Sequence, residues 1–460
     1  MYKIDFNTPV HIHFIGIGGI SMSGLADILF SKGFTVSGSD ARESDLTISL
    51  RNKGMTINIG QQASNITDDI DVVVYTAAIH PDNPEYTEVI RRGIPMLSRA
   101  ELLGEIMTNY EVAIGVAGTH GKTTTTSMLA DIMLAAKLDP TISVGGILPS
   151  INGNLRMGSS GNFITEACEY TNSFLSFAPT IEVILNIEEV HLDFFKDLED
   201  IRNSFRKYVN LLPENGLLVI NGDIPDVDYI FEDAKCPIVT VGTDASCLYT
   251  ARDISHDDMG CYSYTLVCDS QDITKVTLGV TGIHNVYNSL AAFAVADALQ
   301  INTETTVAAL AAFNGANRRF QKKGELNGFT IIDDYAHHPA EISATLKVAK
   351  ECRHNKVICI FQPHTYTRTN AFLKDFAKAL SLADSIILAD IFAAREQNTI
   401  GITSLDLKRE IDALGTTCIY EPDFSRIEEL VLSMEEEGDL VITKGAGDIV
   451  KVGENLLNKQ

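Results

Sequence analysis

Val112-Ala-Ile-Gly-Val-Ala-Gly-Thr-His-Gly-Lys-Thr-Thr-Thr-Thr126 decides how this chain is read. A short apolar run rich in β-branched residues predicts a strand. A turn holding Gly118 and Gly121 follows, then Lys122, then threonines that open an apolar helix from Ser127 to Ala135. Strand, glycine turn, lysine, hydroxyl and helix together form a phosphate cradle. Glycines let backbone N–H groups approach phosphate oxygens, and a helix N-terminus favours their charge. Lys122 is placed to reach the outer phosphates, and the Thr123 hydroxyl to face a Mg²⁺ ion. The usual spacing would put a glycine at Val116; the nearest is Gly118.

Composition bounds the rest. A chain of 460 residues has length for two to four domains. Its 45% apolar and 21% charged residues are those of an ordinary globular protein. A net charge of −25 argues against nonspecific nucleic-acid or anionic-membrane binding, which need a basic face. The first residues, Met-Tyr-Lys-Ile-Asp-Phe-Asn, do not resemble a signal peptide, and no apolar run has the length of a membrane span. Eight cysteines form no Cys-x-x-Cys pair, and Cys359 and Cys418 lie in apolar runs, so reduced core thiols and a cytoplasmic location are expected.

Upstream of the phosphate loop, residues 10–19 read as a strand entering a glycine turn, Ser21 to Phe30 as a helix, and Phe34 to Asp40 as a second strand. This βαβ start resembles a dinucleotide fingerprint with Ser21 in place of the third glycine. It fits a nucleotide cradle, with Asp40 at the ribose, and a plain packing turn equally well. Strands at 56–59 and 71–76 and helices at 86–92 and 99–107 complete a small doubly wound unit, residues 1–108. The second domain, 109–324, continues with near-continuous apolar strands at 162–167, 181–186 and 216–220, as a parallel sheet buried on both faces requires. Alternating stretches between 247 and 280 predict a small antiparallel sheet appended to it, followed by helices 285–299 and 304–313. After Gly324, five strand candidates alternate with helices, predicting a third, Rossmann-like α/β domain, 325–460. The fold class is therefore α/β in three domains, with short joints that let them hinge.

Glu166 and Glu169 end one predicted strand, and His191 and Asp193 follow another. Ligands gather at the carboxyl ends of strands in open α/β sheets, so these groups are expected to share an edge with Lys122 and Thr123. Carboxylate and neutral imidazole both suit a magnesium shell completed by ATP phosphates, oxygen donors being the harder match.

Motifs then accumulate. Gly118-Thr-His-Gly-Lys-Thr-Thr-Thr125, Glu166-Ala-x-Glu169, Asn186-Ile-Glu-x-x-His191 and Gly282-Ile-His-Asn-x-x-Asn288 are similar to those of the Mur ligases. So are Asn317-Arg-Arg-Phe-Gln321, Asp333-Asp-Tyr-Ala-His-His-Pro339, Gln362-Pro-His-Thr-Tyr-Thr-Arg368, Gly445-Ala-Gly-Asp-Ile449 and the His13 to Ala26 segment. They stand in the family's order along essentially the whole chain.

The resemblance implies that the first domain binds a UDP-sugar, the second ATP and the third an amino acid. It places Gly118, Thr119, His120, Gly121, Lys122, Thr123 and Thr124 around the ATP phosphates. Asn285, Arg319 and Asp333 or Asp334 would contact the rest of ATP. Thr123, Glu166 and His191 would hold Mg²⁺. Gly16, Gly18, Gly19, Ile20 and Ser21, with Asp40, would form the UDP-sugar site. Tyr335, His337, His364 and Arg368 would surround the amino acid. Two departures stand out: Cys168 and Thr171 replace carboxylates found in many relatives, and Thr365 replaces an arginine found in some, leaving Arg368 as the carboxylate anchor.

The reaction so implied is ATP-dependent ligation of L-alanine to the carboxylate of UDP-N-acetylmuramate through an acyl phosphate, for peptidoglycan precursor synthesis, with Lys122, His191 and His337 as catalytic groups. His337 would either accept the amine proton or only position substrate. The resemblance also admits a ligase attaching a recycled peptide to the same sugar, or a folylpolyglutamate synthase-like enzyme. Partners would be small molecules only, with no nucleic acid and no membrane insertion, and the protein a monomer or homodimer.

Overall fold

The computed structural model describes residues 2–459 apart from Ala77, Met259, Ala316 and Arg395. The chain divides into two compact units. One comprises Met1–Arg252, Leu266–Ile273 and Tyr287–Ala309; the other comprises Asp253–Thr265, Thr274–Val286 and Leu310–Gln460.

The first unit begins with a parallel sheet of β1 (His11–Ile15), β2 (Thr35–Asp40), β3 (Thr56–Ile59), β4 (Val72–Tyr75) and β5 (Met96–Ser98), in the order β3-β2-β1-β4-β5. Side chains alternate across it. Ile12, Phe14, Val72 and Val74 pack with Leu25, Ile28, Leu102 and Ile106, from helices Ile20–Ser31 and Arg99–Met107. Ile15 and Val73 face the other way, onto Val89 of helix Pro84–Arg92.

The second sheet contains β6 (Val112–Ala117), β7 (Thr141–Leu148), β8 (Gly153–Arg156), β9 (Asn162–Glu166), β10 (Ile181–Ile184), β11 (Leu217–Asn221), β12 (Ile238–Gly242), β13 (Tyr249–His256), β14 (Cys261–Cys268) and β15 (Gln271–Thr281). Their order is β15-β14-β13-β12-β11-β10-β6-β9-β7-β8. The expected appended sheet is a continuation of the main one, because β13 pairs in parallel with β12 through Val241–Tyr249 and Gly242–Thr250.

The first two sheets share one core. Leu102, Leu103, Ile106 and Met107 pack with Phe163, Ala167 and Phe174 of the second domain. A side chain at Gly104 would meet the Ser176 carbonyl oxygen at 1.8 Å, so the helix sits directly on that backbone. Hinging at this joint, expected from its shortness, is opposed by a continuous apolar core.

The second unit holds a six-stranded sheet of β16 (Gln321–Leu326), β17 (Phe329–Asp334), β18 (Val357–Phe361), β19 (Ser385–Leu388), β20 (Thr417–Tyr420) and β21 (Leu440–Lys444), ordered β16-β17-β21-β18-β19-β20. β16 is antiparallel to β17 and spans Gly324, so this sheet starts before the boundary expected there. Cys352, Cys359 and Cys418 are buried free thiols. No helix among the described residues is long and apolar enough to cross a membrane.

Candidate functional site

The phosphate loop leaves β6 at the centre of the second sheet, between β10 and β9. Gly118 has φ +140° and Gly121 φ +85°, conformations that a side chain would strain. Lys122 then opens helix Lys122–Ala135. The end of β10 braces the loop: Thr119 N–H donates to the Asn186 carbonyl at 3.1 Å and His120 N–H to Asn186 Oδ1 at 2.7 Å. These two amides, expected at the phosphates, are therefore turned inward. The first helical turn at 122–124 supplies amides that have no intrahelical acceptor.

Lys122 Nζ folds back over the loop. It donates to the carbonyls of Gly118 and Thr119 and to Glu169, 3.0 Å from Oε2. Glu169 is fully buried, and its Oε1 lies 3.7 Å from His191 Nε2. The His191 ring packs on Tyr170, centroids 4.4 Å apart. Burial chiefly, with Lys122, holds this imidazole below the usual histidine range against the opposing pull of Glu169 and Asp193, so it is neutral at pH 7. Glu166 Oε1 accepts the Gly145 N–H. Thr123 is buried in the first helical turn. The expected edge exists: Glu166 ends β9, Glu169 follows it, and Lys122 and His191 follow the neighbouring strands β6 and β10.

The first glycine loop is built differently. Gly16 and Ile17 N–H both donate to the Ser39 carbonyl at 2.9 Å, and Gly18 N–H donates to Asp40 Oδ2 at 2.9 Å. A side chain at Gly18 would stand 2.8 Å from that carboxylate oxygen, which is why glycine is required. Asp40, expected at a ribose, thus buttresses the loop itself. The Gly16, Gly18 and Gly19 amides are all spent internally, Gly19 N–H on the Gly16 carbonyl at 3.3 Å, and the exposed part is Gly19, Ile20 and Ser21, with Ile20 68% exposed. Beneath lies a buried network in which Ser39 Oγ and Asn65 Nδ2 donate to Glu85, whose Oε2 is 3.8 Å from His13 Nε2.

In the second unit, β17 and β18 flank β21 and carry the remaining candidates. His337 stands 5.4 Å from Tyr335 and 5.7 Å from His364, centroid to centroid. Arg368 Nη1 is 3.3 Å from His364 Nδ1, and the Arg319 guanidinium lies 5.9 Å from the Tyr335 ring centre. Thr365 caps the helix that carries Arg368. Burial chiefly lowers both imidazoles; Arg368 lowers them further, as does Arg319 for His337. Asn285 donates to the Thr281 carbonyl at 2.7 Å.

Asp333 and Asp334 depart from expectation. Asp333 is fully buried and accepts from Arg318 Nε and Thr443 Oγ1. Asp334 is 2% exposed and accepts from Lys444 Nζ, Phe320 N–H and Ala336 N–H. Burial would raise the Asp334 carboxyl, but Lys444 and the two amides together bring it below the usual range. Both carboxylates tie loops together, which leaves neither open to a ribose.

Three stretches match Mur ligase domains: residues 11–111 the Mur ligase family catalytic domain, 116–296 the Mur ligase middle domain, and 318–447 the Mur ligase glutamate ligase domain. The chain is 58% identical to the UDP-N-acetylmuramate–L-alanine ligase of Lachnospira eligens over 458 residues, covering 99% of this chain and all of that one. It is 56% identical to the ligase of the same name from Agathobacter rectalis, with both chains fully covered. The chain belongs to the Mur ligase family. Among solved structures, the UDP-N-acetylmuramate–alanine ligase of Thermotoga maritima matches with TM-score 0.79 and 29% identity over 98% of each chain.

As a Mur ligase this is an ATP-dependent ligase. Sequence reading missed Glu169 as the partner of Lys122, and Arg318 and Lys444 as the clamps of Asp333 and Asp334. Glu169 lies within a motif, but its pairing depends on how β9 lies beside β6. Arg318 shares a motif with Arg319, and spacing alone does not say which turns inward: Arg318 donates to Asp333 and to the Gly445 and Gly447 carbonyls.

Proposed function

We propose that this chain joins L-alanine to the carboxylate of UDP-N-acetylmuramate with ATP, giving the amide, ADP and phosphate. The observation that carries the reading is end-to-end identity of 58% to a ligase of that name. The muramate carboxylate oxygen attacks the γ-phosphorus and ADP leaves. The alanine amine then attacks the acyl-phosphate carbonyl, phosphate leaves, and the amine gives up its proton. In the first step catalysis is mainly positioning and charge neutralisation, which Lys122 and the first-turn amides of its helix are built to supply.

Mg²⁺ suits the donor set. Among the described residues no cluster of three or more His, Cys, Asp or Glu side chains could hold a metal alone. Mg²⁺ ordinarily takes one or two protein carboxylates and completes its shell with phosphate and water oxygens. The Glu166 carboxylate and the Thr123 hydroxyl match that pattern, with the neutral His191 imidazole as a softer third donor, and the bound ion would neutralise charge on the phosphates.

Tyr335, His337, His364 and Arg368 are the proposed alanine site, with Arg368 on the carboxylate. An imidazole held below the usual histidine range is unprotonated at neutral pH, so His337 is free to accept the amine proton. The reading places the reaction in the cytoplasm, in peptidoglycan precursor synthesis. Purified protein given ATP, UDP-N-acetylmuramate and one amino acid at a time should release phosphate with alanine. Release only with a preformed peptide would replace this reading. His337→Ala should lower kcat and remove its acid limb below about pH 6.5; a rise in KM for alanine alone would leave His337 a positioning role.

A further inference from the structure

Among the described residues Arg99 has no carboxylate partner, in a chain that has 61 acidic and 36 basic residues. In the same domain Arg51, Arg91 and Arg92 each hold a carboxylate. The Arg99 guanidinium makes one hydrogen bond, from Nη1 to Ser21 Oγ at 3.3 Å, and no Asp or Glu lies within ion-pair distance among the described residues. It is half-buried. It is also the first residue of helix Arg99–Met107, whose N-terminal end already carries partial positive charge. Its surroundings lower its pKa, burial being the main cause. Its neighbour on the other side is Cys168, which is not a carboxylate.

The position is fixed. Ser98 and Glu101 form a capping box that sets the start of the helix, and Gly104 seats it on the Ser176 backbone. Arg99 is thereby held between two loops of the same compact unit. On one side Ser21 ends the open part of the first glycine loop. On the other, Cys168 precedes Glu169, the buried partner of Lys122. Arg99 therefore stands between the loop proposed for the diphosphate and the segment that carries the partner of Lys122.

We propose that Arg99 binds the carboxylate of the UDP-sugar acid and aims it at the phosphate loop. This rests on the proposed ligation and adds a binding residue to it. A guanidinium fork matches a carboxylate in two parallel hydrogen bonds, fixing orientation as well as position. Arg99 is thus the countercharge that keeps the acid in place before its oxygen attacks phosphorus.

The test compares UDP-N-acetylmuramate with UDP-N-acetylglucosamine, which carries the same diphosphate and no carboxylate, by calorimetry on the full chain. Arg99→Ala should weaken the acid about 30-fold, the scale of a lost charge-assisted bond, and UDP-N-acetylglucosamine less than about twofold. Its KM for the acid should rise by the same factor, and ATP binding should stay at the wild-type value, reporting an intact fold. Equal loss for both sugars would assign Arg99 to the diphosphate and overturn the proposal, as would no loss for either. Should Arg99→Ala fail to fold, Arg99→Lys is decisive, since a point charge lacks the fork: a lowered acid-to-sugar affinity ratio supports the proposal and an unchanged ratio overturns it. Wild-type protein that binds neither sugar would overturn the ligation itself, a result distinct from wild-type binding that Arg99→Ala leaves unchanged.

Discussion

Two glycine turns, each leaving a parallel strand and opening a helix, do different work in the first unit. In the turn after β1, the amides of Gly16, Ile17 and Gly18 are spent on Ser39 and Asp40. In the turn after β6, Asn186 takes the Thr119 and His120 amides, and Lys122 is folded onto Glu169. The first is a rigid ledge whose shape is set by an acid from the next strand. The second is a charged device, with a cation held over the loop by a buried carboxylate. A glycine pattern specifies the bend; the side chains behind it specify what the bend is for.

Removing the cation should break the comparison most completely. Lys122→Ala should fold and lose ligation by about three orders of magnitude in kcat, because charge spreading on the transferred phosphoryl group loses its nearest neutraliser. Turnover near wild type, measured by coupled phosphate release, would remove the lysine from the mechanism. Glu169→Gln is the subtler cut. It keeps the volume but loses the charge that holds Lys122 and faces His191, so kcat should fall about 10- to 100-fold, as when supporting partners of a charged site are lost. Unchanged kcat would mean that Lys122 finds its place unaided.

On the ledge, Asp40→Ala frees the Gly18 N–H. KM for the UDP-sugar should rise about tenfold, the scale of one bond to a charged group, with kcat nearly unchanged. A fall in kcat without a change in KM would erase the contrast between the loops.

The smallest effect belongs to Glu182, on β10 beside the phosphate strand. It is fully buried, and neither carboxyl oxygen has a hydrogen-bond partner among the described residues, so burial raises its pKa well above the ordinary value. A raised carboxyl pKa makes the fold prefer the protonated acid. Its relative stability is greatest below about pH 4.5 and is lost as pH rises toward the folded-state pKa. Glu182→Gln, neutral throughout, should therefore melt a few degrees higher than wild type at pH 7 and close that gap near pH 4. A gap independent of pH would show that the carboxyl is not the cause.

Most strands were legible because they are long apolar runs bounded by turn residues. The strands 56–59, 329–334 and 417–420 lie where patterning put them. The short β5 and β8 were not legible, since three or four residues carry too little periodicity to separate a strand from a loop. The stretch 247–280 was recognisably β, yet its union with the main sheet was not, because one parallel ladder decides it. Tyr335, His337, His364 and Arg368, which the family resemblance groups, stand near one another in the structure. The inward turn of Asp333 and Asp334 was not.

By itself the sequence determined the order of α/β units, the place of the phosphate loop and the residue types that serve it. Those are local matters: hydrophobic period, glycine at a turn, and a lysine at a helix start. Tertiary structure alone decided which charges are answered. Glu169 meets Lys122 because β9 lies beside β6, and Lys444 meets Asp334 because β21 lies beside β17. Among the described residues the Arg99 guanidinium bonds to Ser21 and to no carboxylate. Coulomb and desolvation energies depend on distance and burial, which neighbouring strands set and chain order does not.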